Sequence, residues 1–335
     1  MSISIFVSRV VVQYLDTSKG LLWRTGSALP ADSDLFPGHR TPKFIARVTR
    51  RAESDSLMGM AEKDPDQLLA SLKANGFQIE FHSHAEAIFR GDFPNALIEI
   101  CEVLREITIP IEEIIAGGGG EAKGTQRLRR SLSERGWPKT EFKVQRIING
   151  REREAISHEI DHVREFPAGT VALEIEWNNK DPFFDRDLEN FKRLHADGAI
   201  SIGVIVTRGR DLHERMRDLV RRFVQERGID SVEDLREWGY EPTSKQRRWI
   251  EERVNRKKNP LSFEDAFVGK FTSDKFGEAT THWRKLEDRV HRGVGNPCPL
   301  LLVGLPDTIV TFDEGEDALE EVLKDESSSE DSTEA

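Results

Sequence analysis

Apolar and polar positions follow regular periods from about residue 66 onward, and these periods predict both helices and strands. The first part of this region predicts a short helix over 66–73, a strand over 77–81 and a longer helix over 95–107. The longer helix stops before Pro110, which cannot continue it. An ordered body therefore begins near residue 66.

The most informative stretch follows Gly150. Two strands are predicted over 155–162 and 170–177, and Pro167 and Gly169 supply the turn between them. Side chains alternate between the two faces of a strand, so a hairpin here would set one apolar face against the core.

A helix is predicted next, with Asp181 as its N-cap and Pro182 in its first turn. Its apolar positions recur at i, i+4, i+7 and i+10, which indicates one buried stripe. The stripe consists of Phe184, Leu188, Phe191 and Leu194. Gly198 ends the helix.

A nearly continuous apolar run over 199–207 predicts a central strand that is covered on both faces. A helix over 211–227 follows, opened by a capping box of Asp211 and Glu214. A further buried strand is predicted over 299–305. Strands that alternate with helices predict the α/β class, with a central sheet flanked by helices.

The two ends of the chain differ from this body. Residues 1–60 show little periodicity and are predicted to be a peripheral or disordered N-terminal extension. Residues 313–335 are predicted to be an acidic disordered tail. The remaining residues, 61–312, are predicted to form the folded domain.

The net charge of −11 argues at first against nucleic acid as a partner. However, residues 313–335 hold eleven acids and one lysine, so ten of the eleven net negative charges lie in that tail. The body is nearly neutral and carries basic clusters, which fit either positive patches or solvated helix faces. The clusters are Arg127, Arg129, Arg130 and Arg135; Arg215, Arg217, Arg221 and Arg222; and Lys245, Arg247, Arg248, Arg253, Arg256, Lys257 and Lys258.

The two cysteines, Cys101 and Cys298, stand far apart and have no histidine or cysteine partners at metal-binding spacing. They indicate isolated thiols in a reducing compartment rather than a disulfide or a structural zinc site. The apolar segment at residues 3–15 is interrupted by Arg9 and lacks a cleavage motif for a signal peptide. We therefore expect a cytoplasmic protein without a membrane partner.

Carboxylates mark one face of the predicted strand 170–177. Glu174 and Glu176 share that face about 7 Å apart, and the hairpin brings Asp161 alongside. Three acids that converge on a sheet edge form an oxygen site suited to Mg²⁺. The same alternation also fits polar residues on a solvated face, and the spacing alone leaves both interpretations open.

These motifs together resemble the BglII and BamHI group of type II restriction endonucleases, within the PD-(D/E)xK nuclease superfamily. The resemblance rests on HEIDH, on EFPAGTVALEIEW, and on the helix and the apolar strand ISIGVIVTRG that follow. It covers about residues 77–305, and its specific part is 157–210. It implies a restriction-endonuclease-like core with a mixed central sheet.

By this resemblance, Asp161 and Glu174 are metal ligands, together with the backbone carbonyl of Ile175. Glu176 stands where most of the superfamily has lysine, so it is a catalytic or metal-binding residue while the identity of the general base stays open. The implied reaction is hydrolysis of a phosphodiester bond in double-stranded DNA by Mg²⁺-activated water. Glu121 is either an additional acid near the metal or a plain helix-start glutamate.

The resemblance further implies a homodimer that acts beside a cognate DNA methyltransferase in a restriction–modification system. Candidate DNA contacts follow the E-x-E strand or lie in a polar stretch further along the chain. They are Asn178, Asn179, Lys180, Thr280, Thr281 and His282. Two alternatives stay open: another PD-(D/E)xK nuclease in DNA repair or processing, and a catalytically inactive DNA-binding module of the same fold.

Overall fold

A computed structural model describes residues 64–116, 122–149 and 151–312, with backbone alone described at 146–148 and 151–156. All of these lie in one of two compact units, Met60–Ala335. The N-terminal extension, Glu121 and the acidic tail lie outside the described residues.

Both strands and helices occur along the described chain. The strands are β1 Gln78–His82, β2 Ile109–Pro110, β3 Thr140–Ile148, β4 Arg151–Ile160, β5 His162–Phe166, β6 Gly169–Glu176, β7 Ile202–Arg208, β8 Leu300–Leu305 and β9 Val310–Thr311. The helices are α1 Pro65–Ala74, α2 Ala85–Asp92, α3 Pro94–Glu106, α4 Ile111–Ile115, α5 Lys123–Glu134, α6 Phe183–Ala196, α7 Arg210–Glu226, α8 Val232–Glu237, α9 Ser244–Val254, α10 Phe263–Lys275 and α11 Trp283–His291.

Five strands form the central sheet, in the order β1-β8-β7-β6-β5. The three inner strands are parallel to one another, and the two edge strands run antiparallel to their neighbours. All seven residues of β7 are buried, because it is paired on both sides and covered on both faces. The predicted α/β class with a mixed central sheet is therefore confirmed.

The sheet separates two apolar layers. Val204 and Val206 of β7 pack in the same cluster as the buried side of α7, whereas Ile205 packs with α6 and α11. Alternate residues of a strand face opposite sides, so α6 and α7 cover opposite faces of the sheet. Within the described residues, no helix is long and apolar enough to cross a membrane.

The prediction of one strand over 155–162 was wrong at its end. Strand β4 ends at Ile160 and pairs with β3 in a separate two-stranded sheet, while β5 begins at His162 and joins the central sheet. Asp161 is the single residue between them, and it forms a bend. The alternation of half-buried Phe142 and Val144 with exposed neighbours is the signal for β3 that the sequence analysis missed.

The starts of the two long helices also differ from the prediction. Helix α6 begins at Phe183, and Asp181 does not cap it but pairs with Arg289 of α11 at 3.3 Å. The long-range ion pair replaces the local cap, although the buried stripe and the end near Gly198 are as predicted.

Helix α7 begins at Arg210, and no side chain at the start of this helix caps it. The predicted capping box at Asp211 is therefore absent. The side-chain oxygen of Gln78, on edge strand β1, accepts the backbone N–H of Arg210 at 2.5 Å instead. Gly209 allows this tight turn, because a Cβ atom there would lie 2.7 Å from the carbonyl oxygen of Leu305.

Candidate functional site

Strand register places the first two predicted acids side by side. The β5–β6 ladder ends with His162 opposite Leu173, so the next residue on each strand, Asp161 and Glu174, continues past the last pair. The backbone N–H of Asp161 donates to the side-chain Oε2 of Glu174 at 3.3 Å. The bend between β4 and β5 thus turns Asp161 toward the end of β6.

The face of β6 that carries the acids is covered by protein. Glu174 is 3 % exposed and Glu176 is 2 % exposed, whereas the Asp161 side chain is 28 % exposed. The interpretation of these glutamates as a solvated sheet face is therefore wrong. Of the three predicted acids, Asp161 is therefore the most accessible to solvent.

Helix α6 adds a fourth acid, Asp187, which the sequence analysis did not identify. Asp187 is fully buried and faces the two glutamates of β6. The signal was present in the sequence, since Asp187 lies three residues after Phe184 and four before Phe191 on the buried stripe. An acid at a core position of an amphipathic helix indicates a partner or a site. We call Asp161, Glu174, Glu176 and Asp187 the carboxyl cluster.

Burial and mutual repulsion strongly disfavour ionisation of these carboxyls. Burial, reinforced by Asp187 and Asp161, raises the pKa of Glu174 to about 10. Burial, again reinforced by Asp187, raises the pKa of Glu176 to about 9. Burial also raises the pKa of Asp187 above its ordinary value. At neutral pH, the cluster therefore holds protons unless a cation compensates the negative charge.

Two polar neighbours orient Glu176. The side-chain amide of Asn179 donates to Oε2 of Glu176 at 2.7 Å, and a guanidinium nitrogen of Arg186 lies 3.5 Å from Oε1. Arg186 also donates to Oδ1 of Asp187 at 2.8 Å, so one cation bridges the two acids. The segment after the E-x-E strand thus fixes Glu176.

The carboxyl cluster fits a hard divalent cation by the chemistry of its donors. Oδ2 of Asp187 is buried and finds no hydrogen-bond donor in the described part of the chain. A carboxyl pair such as Glu176 and Asp187 is stable when it shares a proton or binds a cation. The predicted Asp161, Glu174 and Glu176 do not, as placed, bring one oxygen each within 4.8 Å of one another. One ion held by all three requires side-chain movement.

Ile175 points away from the acids. Its side chain packs in the apolar layer shared with α7, while its backbone pairs with Val206 of β7. The β5 ladder stops before residue 175, so on that side no ladder partner from the described part of the chain covers this part of the β6 backbone.

The candidate DNA contacts separate into accessible and inaccessible residues. Asn179 and Lys180 are exposed, whereas Thr281 is 0 % and His282 is 2 % exposed. The Thr280 hydroxyl accepts from Arg208 at 2.7 Å. Thr281 and His282 are therefore covered by protein in this conformation, and their contact with base edges stays a prediction.

The segment that contains these buried residues lies against the end of β6. The backbone N–H of Thr281 donates to the carbonyl of Asn179 at 2.8 Å, and the Asn179 N–H donates to the Thr281 hydroxyl at 3.0 Å. The Asn178 side chain donates to the carbonyl of Lys275 at 2.8 Å. The polar residues after the E-x-E strand are therefore held by a segment about one hundred residues further along the chain.

Many of the basic side chains in the predicted clusters pair with acids. In the first cluster, Arg127 pairs with Glu113 at 2.5 Å, and Arg129 lies 3.8 Å from Asp161 of the carboxyl cluster. In the third cluster, the exposed residues Arg256, Lys257 and Lys258 follow α9 on the surface. The third cluster is consequently a more accessible positive surface than the first cluster.

A model of the family described as restriction endonuclease BglII/BglIII matches residues 77–305. The matched region contains all five strands of the central sheet, the carboxyl cluster and helices α6 and α7. No curated protein matches the chain. The family model covers more than half of the chain, and it contains every described residue of the predicted site.

Proposed function

The chain belongs to the restriction endonuclease BglII/BglIII family, and from this we propose that it is a Mg²⁺-dependent type II enzyme. It hydrolyses phosphodiester bonds in double-stranded DNA at a specific site. The observation that carries the proposal is the meeting of Asp161 and Glu174 beside Asp187 at the end of β6. Asp161, Glu174 and Asp187 come from a bend, a strand and a helix. Among the described residues, Arg186 lies against Asp187 and Arg129 lies 3.8 Å from Asp161. Protons or a bound cation balance the remaining negative charge.

In this proposal, Asp161, Glu174 and the backbone carbonyl of Ile175 hold Mg²⁺, and Glu176 is a further ligand or orients the attacking water. When bound, the ion lowers the pKa of that water and stabilises negative charge on the phosphate. Asn179 fixes Glu176 through the 2.7 Å hydrogen bond, and Arg186 offsets the charge that Glu176 and Asp187 acquire on ionisation. Asp187 tunes the affinity of the cluster for cations.

We also propose that Asn179, Lys180 and the exposed basic residues after α9 contact the DNA backbone. Phosphate contacts of this kind position a duplex without reading its sequence. A homodimer that recognises a two-fold symmetric site, together with a cognate methyltransferase in the cytoplasm, completes the proposal.

Plasmid digestion with the full-length protein tests this function. The wild-type protein with Mg²⁺ is expected to yield discrete fragments, and Glu174→Gln is expected to lower the cleavage rate by about 10³-fold or more, since it removes a proposed metal ligand. Glu165→Gln is the matched control, because Glu165 is an exposed acid on the neighbouring strand β5.

Three results separate the alternatives. Smeared products favour a nuclease for repair or processing. Specific DNA binding without cleavage, in wild type and variant alike, favours an inactive DNA-binding module. Undiminished cleavage by Glu174→Gln would remove Glu174 from the site.

A further inference from the structure

A surface cavity of about 300 Å³ lies between the start of α7 and the start of α11. Its walls come from the first turn of α7 and from the segment around the start of α11. The lining residues are Arg210, His213, Glu214, Glu278, His282 and Arg284. None of them belongs to the carboxyl cluster.

Two imidazole rings meet a carboxylate in this cavity. The rings of His213 and His282 stack with centroids 3.8 Å apart and planes within 4°. Nε2 of His213 lies 3.7 Å from one oxygen of Glu278, and Nε2 of His282 lies 3.8 Å from the other. Both separations exceed a normal hydrogen bond.

These separations suit an ion between the groups. One ligand atom from each of the three residues lies within 4.8 Å of the other two. Zinc–nitrogen and zinc–oxygen bonds are about 2.0–2.2 Å long, so two ligands of one ion lie about 4 Å apart or less. Because the two rings are stacked nearly parallel, binding one ion requires the rings to turn until both nitrogen lone pairs point at it.

The buried nitrogen of His282 is the second observation that points to a ligand. His282 is 2 % exposed, and its Nε2 atom has no hydrogen-bond partner among the described residues. A neutral imidazole nitrogen offers a lone pair, which is the form that binds metals.

The charges around the cavity are largely balanced. Arg210 pairs with Glu287 at 3.1 Å, and Arg284 lies 3.4 Å from Glu278. Glu214 and Glu278 both line the cavity and oppose an anion there. Two imidazoles with one carboxylate favour a borderline transition metal over Mg²⁺ or Ca²⁺, which take oxygen ligands.

We propose that His213, Glu278 and His282 form a second metal site, for a divalent ion of the Zn²⁺ type, with an open coordination position toward the cavity. This histidine pocket is distinct from the carboxyl cluster in residues and in donor chemistry. It adds to the proposed nuclease function and does not depend on it.

An ion at this site would act on the carboxyl cluster through the backbone. His282 directly follows Thr281, which donates its N–H to the carbonyl of Asn179 at 2.8 Å. Asn179 in turn donates to Glu176 at 2.7 Å. The ion would thus hold the segment that positions Asn179, and therefore Glu176.

Metal titration of the full-length protein in excess Mg²⁺ tests the proposal. Zn²⁺ binding by calorimetry is expected at this site, and Co²⁺ is expected to give ligand-field absorption bands. Glu278→Gln is expected to weaken both by about tenfold or more, a loss typical of a disturbed metal site. Glu278 has a 64 % exposed side chain, so this variant should fold. His213→Gln is a second variant with the same expected outcome.

His291→Ala is the matched control, because exposed His291 belongs to a separate group with Glu80 and Glu287. Unchanged binding in this control supports the histidine pocket. Absence of the Co²⁺ bands, retention of full affinity in Glu278→Gln, or loss of binding in His291→Ala would each overturn the proposal. Saturable binding of inorganic phosphate that Arg284→Gln abolishes, without Zn²⁺ binding, would make the cavity an anion site and overturn it as well.

Discussion

The carboxyl cluster beside α6 and the histidine pocket at the start of α7 are two polar sites in which burial acts on groups of opposite charge. Burial raises the pKa values of Glu174 and Glu176, whereas burial lowers the pKa of His282. Both shifts favour the neutral form of the group, because a low dielectric penalises charge of either sign. The same physical effect thus produces one site that must lose protons before it binds a cation and another whose imidazole rings are already neutral.

The two sites also differ in the atoms that they offer to a metal ion. The carboxyl cluster offers oxygen atoms from four acids, while the histidine pocket offers two nitrogens and one carboxylate. Hard cations select the first set and borderline cations the second. The two sites share no residue, so substitutions can address the ligands of each site separately.

Beyond the Glu174 variant, the largest expected effect concerns Asp187, the acid from α6. Asp187→Asn keeps the shape of the side chain but removes a charge next to Glu174 and Glu176. We expect the Mg²⁺-dependent cleavage rate to fall by about 10²–10³-fold, comparable to the loss of one preorganised charged group. Single-turnover cleavage of plasmid DNA over a range of Mg²⁺ concentrations measures it.

Asp185→Asn is the control for this prediction, since Asp185 lies on the same helix but is exposed and pairs with Arg289. A rate for Asp187→Asn equal to that of the control would show that the α6 acid has only a structural role. The carboxyl cluster would then reduce to Asp161 and the two glutamates of β6.

The next effect is a change of stability with pH at the carboxyl cluster. The folded protein keeps the proton of Glu174 up to a pKa of about 10, whereas the ordinary pKa is 4.5. The stabilisation that protonated Glu174 gives the folded protein is therefore complete below pH 4.5 and is lost as the pH rises toward 10. Without divalent cations, Glu174→Gln is expected to raise the free energy of unfolding at alkaline pH by about 1–3 kcal/mol.

Thermal unfolding in chelator at several pH values measures this change, again with Glu165→Gln as the control. A parallel decline of stability in wild type and Glu174→Gln would contradict the assignment of the pH dependence to Glu174. The expected combination is a variant that is more stable than wild type and inactive.

A smaller effect of opposite sign is expected at the histidine pocket. The pKa of His282 is lowered from 6.5 to about 4, so the unfolded chain binds a proton there before the folded protein does. The stability that depends on neutral His282 is present above pH 6.5 and is lost as the pH falls toward 4. Over this pH range, the free energy of unfolding of His282→Asn is expected to fall by about 1 kcal/mol less than that of the wild type.

Unfolding midpoints in chelator between pH 7 and pH 4 measure this effect. His291→Asn, at the exposed end of α11, provides the reference. An equally steep loss of stability in His282→Asn and in the wild type would show that other groups cause the acid sensitivity.

The local order of the sequence determined much of the fold. Hydrophobic periods predicted β7, β8, the buried stripe of α6 and the placement of Glu174 and Glu176 on one face of β6, and the described structure has all of these. The pattern suffices because side chains of a helix or strand return to the same face every few residues. The spacing of apolar residues therefore shows which face is buried.

Tertiary structure alone decided what meets the two glutamates. The bend at Asp161 depends on where β4 leaves the β3 ribbon, and Asp187 reaches the site because α6 packs on that face of the sheet. The stack of His213 on His282 joins residues 69 positions apart. Such contacts depend on how distant elements pack, and no local period of the sequence encodes that packing. The acids of the strand were therefore predictable, whereas their partners could be identified only from the tertiary structure.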